Sequence, residues 1–233
     1  MKKIIIIGAG AMGSAFAVPC IENKNEVTLV GTHLEDELIN KIQLNNNFHP
    51  ALNIELPAKL KVVEYKKLKS ILEGGVDIIV AGVSSIGIKW FVNQIAKNYK
   101  TNLPIILLTK GLAIEDNELI TLSDKIKKLL KEQGHTKVNV SAIKGPCLAA
   151  GLANKMRTGT VIANPNIKET EKLKKIISTN YYSTEISDDL TGIELSGAIK
   201  NIYSMLIGAS EGLSNSNAPK EIQSKYYLNT SAS

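Results

Sequence analysis

Three glycines near the start of the chain have a spacing that suits phosphate binding. Gly8, Gly10 and Gly13 form the pattern G-x-G-x-x-G directly after a run of β-branched residues. Glycines at these positions permit a tight turn, let a pyrophosphate approach the backbone, and allow close packing of a strand against a helix. The helix that follows would offer free N–H groups and a partial positive charge to the phosphates. The pattern therefore predicts a binding site for NAD or NADP.

The end of the second predicted strand bears on the choice between these two cofactors. NAD-selective sites have Asp or Glu there, about 20 residues after the glycines, to bind the ribose hydroxyls. This chain has Gly31-Thr32-His33 at that point, with no carboxylate to repel a 2′-phosphate. Thr32 and His33 could donate hydrogen bonds to such a phosphate, so the pattern favours NADP. The alternative is that these two are ordinary loop residues and that Glu35 or Asp36 reaches the ribose instead.

Two lysines further along the chain could supply charge and protons to a reaction. Lys110 comes just after an apolar strand, and in open α/β sheets ligands bind at the carboxyl ends of strands. Lys200 lies within a long apolar helix. Burial there would lower the pKa of its side chain and make it a usable proton donor or acceptor near neutrality. Either side chain could instead run along apolar surface with its charged end in water.

Alternating strands and helices are predicted along most of the chain, and they would position these residues. Strands are predicted at residues 3–7, 26–30, 60–63, 76–81, 104–108, 138–143, 160–163 and 181–185. Helices are predicted at residues 14–23, 35–44, 65–72, 86–99, 117–133, 149–155 and 169–178. Parallel strands need crossover helices, so the alternation predicts a Rossmann-like, doubly wound parallel α/β sheet over residues 1–188.

A different pattern begins near residue 189. Residues 191–212 are predicted to form one long helix, with Thr191 and Glu194 as a capping box at its start. Apolar residues lie around much of its circumference, which predicts burial in a larger helical body. We expect residues 189–233 to be the first, incomplete part of an all-α second domain, because so few residues cannot form a core of their own.

Composition and charge exclude several other classes of protein. The chain of 233 residues is 44% hydrophobic and 21% charged, as ordinary globular proteins are. Its net charge of +6 comes from scattered lysines without a groove-reading motif, and no apolar run is long enough to span a bilayer, so neither nucleic acid nor a membrane is expected as a partner. Cys20 and Cys147 match no metal or disulfide pattern and indicate the reducing cytoplasm. Lys2-Lys3 and the apolar run after them also resemble a secretory signal, which would not explain the glycine spacing.

Four segments of the chain carry a more specific likeness. They are the glycine motif at residues 8–13; Thr109-Lys110-Gly111-Leu112; residues 145–158, which begin Gly145-Pro146-Cys147; and residues 192–201, with Asn217-Ala218 after them. In this order and spacing they resemble NAD(P)-dependent glycerol-3-phosphate dehydrogenase of the soluble archaeal and bacterial type. The resemblance implies hydride transfer that interconverts dihydroxyacetone phosphate and sn-glycerol 3-phosphate, serving glycerophospholipid synthesis. It leaves a homodimer open as the assembly.

The resemblance also implies roles for individual residues. Lys200 would be the catalytic acid/base that donates a proton to the substrate carbonyl oxygen, and Lys110 would polarise that carbonyl. The residues expected to bind substrate are Lys110, Gly145, Cys147, Lys200 and Asn201. The residues expected to contact the cofactor are Gly8, Gly10, Ala11, Met12, Gly13, Thr32, His33, Lys110 and Ala149.

Several positions depart from the family's pattern. The departures are Lys144 for Ser, Cys147 for Ser or Thr, Gly151 for Glu, Arg157-Thr158 for Pro-Thr, and Lys225-Tyr226 for Arg-Gly. The family's later segments, which contain an Asp and an Arg-Asn pair, have no counterpart before Ser233. Two alternatives therefore stay open. One is a truncated or degenerate homologue that binds a dinucleotide without turnover, and the other is a ketopantoate-type reductase of the same two-domain plan.

Overall fold

The computed structural model of the protein describes residues 1–214, which are organised around one eight-stranded sheet. The strands are β1 (Lys3–Ile7), β2 (Glu26–Val30), β3 (Phe48–His49), β4 (Ile54–Glu55), β5 (Lys61–Val63), β6 (Ile78–Ala81), β7 (Pro104–Leu107), β8 (Leu112–Glu115), β9 (Glu118–Thr121), β10 (Asn139–Lys144), β11 (Thr158–Ala163) and β12 (Tyr182–Ser187). The α-helices are α1 (Ala11–Glu22), α2 (Asp36–Leu44), α3 (Leu68–Glu73), α4 (Ile88–Ile95), α5 (Leu122–Glu132), α6 (Ala149–Ala153), α7 (Ile167–Ile177) and α8 (Leu190–Ser214).

The main sheet has the strand order β12-β11-β10-β7-β6-β1-β2-β5, and its neighbours from β5 to β10 run parallel. The apolar run of β1 is buried on both faces. Ile4 and Ile6 join the core that contains Phe16 of α1, whereas Ile5 and Ile7 join the core that contains Phe91 of α4. A strand covered by helices on both sides needs apolar residues at every position. The predicted Rossmann-like, doubly wound architecture is confirmed.

The last two strands of the sheet differ from the prediction of a wholly parallel sheet. β11 runs antiparallel to β10, with Ile143 opposite Ile162, and β12 runs parallel to β11. Only the five-residue helix α6 lies between β10 and β11. Such a short connection returns the chain at the same end of the sheet, whereas a parallel strand requires a full crossover.

The prediction of one helix over residues 117–133 is wrong at its start. Strands β8 and β9 form an antiparallel hairpin, and the turn between them has Asp116 and Asn117 at φ values of 51° and 63°. Asp and Asn tolerate this left-handed conformation better than other residues with side chains. Helix α5 then begins at Leu122, where the Thr121 side chain accepts a hydrogen bond from the Asp124 N–H group. A second short hairpin, β3 and β4, lies between α2 and β5, where no strand or helix is predicted.

The long helix α8 is confirmed, but the predicted capping box at its start is wrong. The Asp189 carboxylate, not Thr191, accepts a hydrogen bond from the Gly192 N–H group, at 2.7 Å. Glu194 is fully buried, and its carboxylate accepts a hydrogen bond from the Ser123 N–H group at 3.2 Å, which ties α8 to the start of α5. The predicted burial of the apolar residues of α8 is not found within residues 1–214, where Ile202 is 53% exposed. Among these residues, no helix is long and apolar enough to cross a membrane.

Candidate active site at the carboxyl edge of the sheet

The glycine motif forms the turn between β1 and α1, and close backbone contacts require glycine there. Gly8 has a φ of 111°, and a Cβ atom on it would lie 2.6 Å from the backbone of Gly82. A Cβ atom on Gly13 would lie 2.1 Å from the carbonyl oxygen of Gly8. Gly82 belongs to the site although the glycine motif does not reveal it. Its only local signal is that it directly follows the buried strand β6.

The first turn of α1 leaves hydrogen-bond donors open beside this turn. Gly10 precedes the helix, and within residues 1–214 no side chain caps the start of α1. The first N–H groups of a helix have no partners within the helix and carry partial positive charge. The glycines keep the approach to these groups free of side-chain atoms, so the residues present fit the pyrophosphate of a dinucleotide.

Side chains hold the peptide groups of Ala9, within the motif. Its N–H group donates to Glu35 Oε2 at 3.0 Å, and its carbonyl oxygen accepts from Ser14 Oγ at 2.9 Å and contacts His49 Nε2 at 3.0 Å. The Leu52 N–H group donates to His49 Nδ1, so Nε2 carries the ring hydrogen and donates to Ala9. His49 is fully buried and comes from the short strand β3. A lone histidine in an Asn-rich stretch gives no sequence signal for this contact.

Thr32 and His33 lie at the carboxyl end of β2, on the far side of the glycine motif from the two lysines. The Thr32 N–H group donates to Glu35 Oε2 at 2.8 Å. His33 is exposed, and its ring centroid lies 5.0 Å from that of Trp90. The ring of Tyr65 lies 5.5 Å from Trp90 and 6.3 Å from His33, so the three rings form one cluster. The end of β2 thus holds Thr32 and His33, the pair predicted to favour NADP, together with Glu35, the alternative ribose ligand. The aromatic rings of Tyr65 and Trp90 also lie there, and the sequence pattern does not indicate them.

Lys110 and Lys200 are far apart in sequence but come together at the other end of this carboxyl edge of the sheet. The groove along this edge, from Thr32 and His33 to the two lysines, is called the cleft. Lys110 follows β7 and lines a cavity of about 380 Å³ with Met12, Gly82 and Ser85. Burial lowers the pKa of Lys110, and the positive charge of the half-buried Lys200 lowers it further. Two ammonium groups this close attract an anion, and the lowered pKa makes Lys110 a better proton donor.

Lys144 is a third lysine of this group, and it is 4% exposed. Its Nζ atom donates a hydrogen bond to the carbonyl oxygen of Thr109 and a longer one, at 3.5 Å, to that of Leu107. Its aliphatic chain lies against Gly197 of α8, where a Cβ atom would be 3.0 Å away. Burial lowers the pKa of Lys144 to about 8, against the raising effect of the Glu194 charge. The unusual residue before Gly-Pro thus packs between the strand that precedes Lys110 and the helix that carries Lys200.

The Gly-Pro segment completes the lysine end of the cleft. Gly145 and Cys147 line a small space of about 20 Å³ together with Met12 and Lys110. Burial raises the pKa of the Cys147 thiol, while a hydrogen bond with Thr158 and the charge of Lys110 lower it. Ala149 begins α6, which packs against α1, and so lies behind the glycine motif.

Some predicted features are not described. The side chain of Asn201 and the pairs Asn217-Ala218 and Lys225-Tyr226 lie outside the described residues. Within residues 1–214, no group of three or more His, Cys, Asp or Glu side chains could hold a metal ion. The structure therefore brings together the glycine motif, Lys110, Gly145, Cys147 and Lys200, with Thr32 and His33 at the other end of the same edge.

Comparison with known proteins bears on this arrangement. A family model described as the N-terminus of NAD-dependent glycerol-3-phosphate dehydrogenase matches residues 3–170. The chain belongs to this family. Two curated glycerol-3-phosphate dehydrogenases illustrate the relationship. The NADP(+)-dependent enzyme of Archaeoglobus fulgidus is 32% identical over 209 residues, covering 90% of this chain and 60% of the relative. The NAD(P)+ enzyme of Bacillus pumilus is 28% identical over 214 residues, covering 91% and 59%.

Solved glycerol-3-phosphate dehydrogenase structures share the fold. The enzyme from Coxiella burnetii aligns with a TM-score of 0.78 at 25% identity, over 99% of this chain and 67% of that chain. The enzyme from Plasmodium falciparum aligns with a TM-score of 0.80 at 21% identity, over 98% and 63%. This chain spans about 60% of the length of the curated glycerol-3-phosphate dehydrogenases that it matches.

Proposed function

We propose that this chain binds NAD or NADP along the carboxyl edge of its sheet and interconverts dihydroxyacetone phosphate and glycerol 3-phosphate. The observation that carries the proposal is the convergence of Lys110 and Lys200 beside Met12 and the glycine motif. When bound, the nicotinamide group supplies or accepts the hydride. The names of the relatives, all glycerol-3-phosphate dehydrogenases, support this substrate pair.

The glycine motif would hold the cofactor through backbone groups. Gly8, Gly10 and Gly13 keep the turn free of side-chain atoms, and the first turn of α1, with Ala11 and Met12, presents its N–H groups to the pyrophosphate. Thr32 and His33 would face the ribose and adenine end, and Ala149 would support the turn from α6.

The lysine end would hold the substrate and move the proton. Lys200 would donate a proton to the carbonyl oxygen of dihydroxyacetone phosphate during reduction, and accept it from the hydroxyl group during oxidation. Lys110 would stabilise negative charge on that same oxygen. Gly145 and Cys147 would line the substrate, and Asn201 would bind it.

We also propose the cytoplasm as the location, since both Cys20 and Cys147 are free in the described chain. A homodimer is our proposal for the assembly, supported by the exposed apolar residues of α8, which include Met205 and Leu206.

The activity is tested by following the absorbance of NADH and of NADPH in the presence of dihydroxyacetone phosphate, with ketopantoate as the comparison substrate. Lys200→Ala should lower kcat by about 100-fold to 10,000-fold while leaving the Kd of the cofactor unchanged, since general acid catalysis typically contributes that much. Lys137→Ala, at an exposed lysine away from the site, is the matched control.

Three outcomes would overturn parts of this proposal. If the chain binds the cofactor but dihydroxyacetone phosphate does not oxidise NADH or NADPH, the chain is a dinucleotide-binding protein without turnover. Oxidation with ketopantoate instead would assign the related reductase. Full activity in Lys200→Ala would remove Lys200 as the proton donor.

A further inference from the structure

We propose that Glu35 is the ribose ligand of the dinucleotide site and that it makes the chain select NADH over NADPH. The inference rests on the proposed binding of a dinucleotide at the glycine motif, and it goes further by assigning the preference between the two cofactors. It differs from the preference for NADP that the strand-end sequence suggests.

The geometry fixes one oxygen of the Glu35 carboxylate and leaves the other available. Oε2 accepts two backbone hydrogen bonds, from the Ala9 N–H group at 3.0 Å and from the Thr32 N–H group at 2.8 Å. Oε1 faces Gly10, where a Cβ atom would lie 3.8 Å from it. The carboxylate therefore bridges the ends of β1 and β2, and Oε1 has no hydrogen-bond partner within residues 1–214, so it offers an acceptor beside the glycine turn.

The local backbone explains why an acid outside the strand reaches this position. The Glu35 N–H group donates to the carbonyl oxygen of Thr32 at 3.0 Å, which forms a turn directly after β2. The Ile39 N–H group then donates to the carbonyl oxygen of Glu35 at 2.9 Å, so Glu35 is the residue from which α2 starts. The turn folds the Glu35 side chain back over the end of β2. The cofactor pattern expects an acid directly after this strand, so it does not single out Glu35.

Both charge and hydrogen bonding at Glu35 favour a ribose without a 2′-phosphate. Hydroxyl groups of a ribose can donate to Oε1, whereas a 2′-phosphate would bring negative charge next to a carboxylate. No lysine or arginine forms an ion pair with Glu35 among residues 1–214. The Thr32 N–H group, which could otherwise donate to a 2′-phosphate, is already bonded to Glu35.

The test is to measure the Kd of NADH and of NADPH by isothermal titration calorimetry for the full chain and for two variants. We expect the unaltered chain to bind NADH about tenfold or more tightly than NADPH, because a 2′-phosphate would bring negative charge next to the Glu35 carboxylate. Glu35→Gln should weaken NADH binding and strengthen NADPH binding, so that the ratio approaches one. Glu37→Gln, at an exposed acid on the same helix, should leave the ratio unchanged.

The outcomes separate this inference from the proposed function. Equal or tighter NADPH binding by the unaltered chain, or an unchanged ratio in Glu35→Gln, would overturn the role of Glu35 while leaving the dinucleotide site intact. No binding of either cofactor would overturn the proposed function itself. If Glu35→Gln does not fold, the unaltered chain still decides. AMP should then bind more tightly than adenosine 2′,5′-bisphosphate, and the reverse order would contradict the inference.

Discussion

The two ends of the cleft are built by different physical means. At the glycine end, backbone groups make the site. Gly8, Gly13 and Gly82 pack at distances that no side chain permits, and both polar groups of the Ala9 peptide are hydrogen-bonded. At the lysine end, lysine side chains from the segment after β7, from β10 and from α8 come together, and the buried carboxylate of Glu194 acts on Lys144.

The two ends would bind a negatively charged group in different ways. The glycine end offers fixed dipoles that need no neutralisation, so it can be complete before a ligand arrives. The lysine end keeps like charges close together, which costs free energy that an anionic substrate would relieve. The first end should therefore respond to changes of shape, and the second to changes of pH and charge.

The largest expected effect is at the glycine end, from Gly13→Ala. The added Cβ atom would lie 2.1 Å from the carbonyl oxygen of Gly8, so β1 and α1 would have to move apart. We expect a loss of at least about 4 kcal/mol in the free energy of unfolding, and loss of cofactor binding. Urea unfolding and calorimetric titration measure the two effects.

Gly208→Ala is the control for that change. An added Cβ atom at Gly208 of α8 meets nothing within 4 Å among the described residues, and alanine favours a helix by about 0.5–1 kcal/mol. Equal stabilities of Gly13→Ala and the unaltered chain would show that the turn is not held by shape.

The lysine end should make the stability of the fold depend on pH, through Lys144. Its pKa falls from 10.5 in an exposed lysine to about 8 in the fold because of burial. Below pH 8 the folded chain therefore keeps a buried charge, and above pH 10.5 the lysine is neutral in both states. Between these values the unfolded chain binds more protons, so stability rises with pH. Relative to Lys144→Met, the unaltered chain should gain about 3 kcal/mol across this window.

Urea unfolding of both chains at intervals from pH 7 to pH 10.5 measures this gain, since other titrating groups cancel in the difference. The exposed Lys137, substituted by Met, should give a difference that does not change with pH. A flat difference for Lys144→Met would mean that Lys144 is not charged and buried at neutral pH, and the contrast between the two ends would fail.

The same contrast explains how much the sequence could predict. Gly8, Gly10 and Gly13 form a local motif after an unbroken apolar strand, and Lys110 follows another such strand, so pattern and topology place them. Gly82, His49 and Glu35 reach the glycine end from other segments of the chain. Glu35 is an alternative ribose ligand from the sequence, but only the fold shows the contacts that all three make.

Errors in the predicted elements have equally local causes. Asp116 and Asn117 make a turn between β8 and β9, which helical periodicity over residues 117–133 hides. Thr191 and Glu194 have the spacing of a capping box, but Asp189 caps the helix and Glu194 is drawn to Ser123 across the fold. Spacing alone cannot show which partner a side chain finds when several lie within reach.

The smallest expected effect is at the glycine end, from His49→Phe, and it tests whether side chains help to position the Ala9 peptide. Phenylalanine keeps a ring in the buried site but removes the hydrogen bond from His49 to the Ala9 carbonyl oxygen, while the hydrogen bond from Ser14 Oγ stays. We expect a loss of about 1–3 kcal/mol in stability, typical of a buried polar group that loses its partner. Cofactor binding should weaken about tenfold, which corresponds to roughly 1.4 kcal/mol.

His135→Phe is the matched control for His49→Phe. Its ring contacts the carbonyl oxygen of Ala96 at 2.8 Å, away from the cleft, so the variant should lose stability without any change in the Kd of the cofactor. If both variants leave cofactor binding unchanged, then the backbone, Ser14 and Glu35 are enough to position the Ala9 peptide. The side-chain support from β3 would then serve folding and not the dinucleotide site.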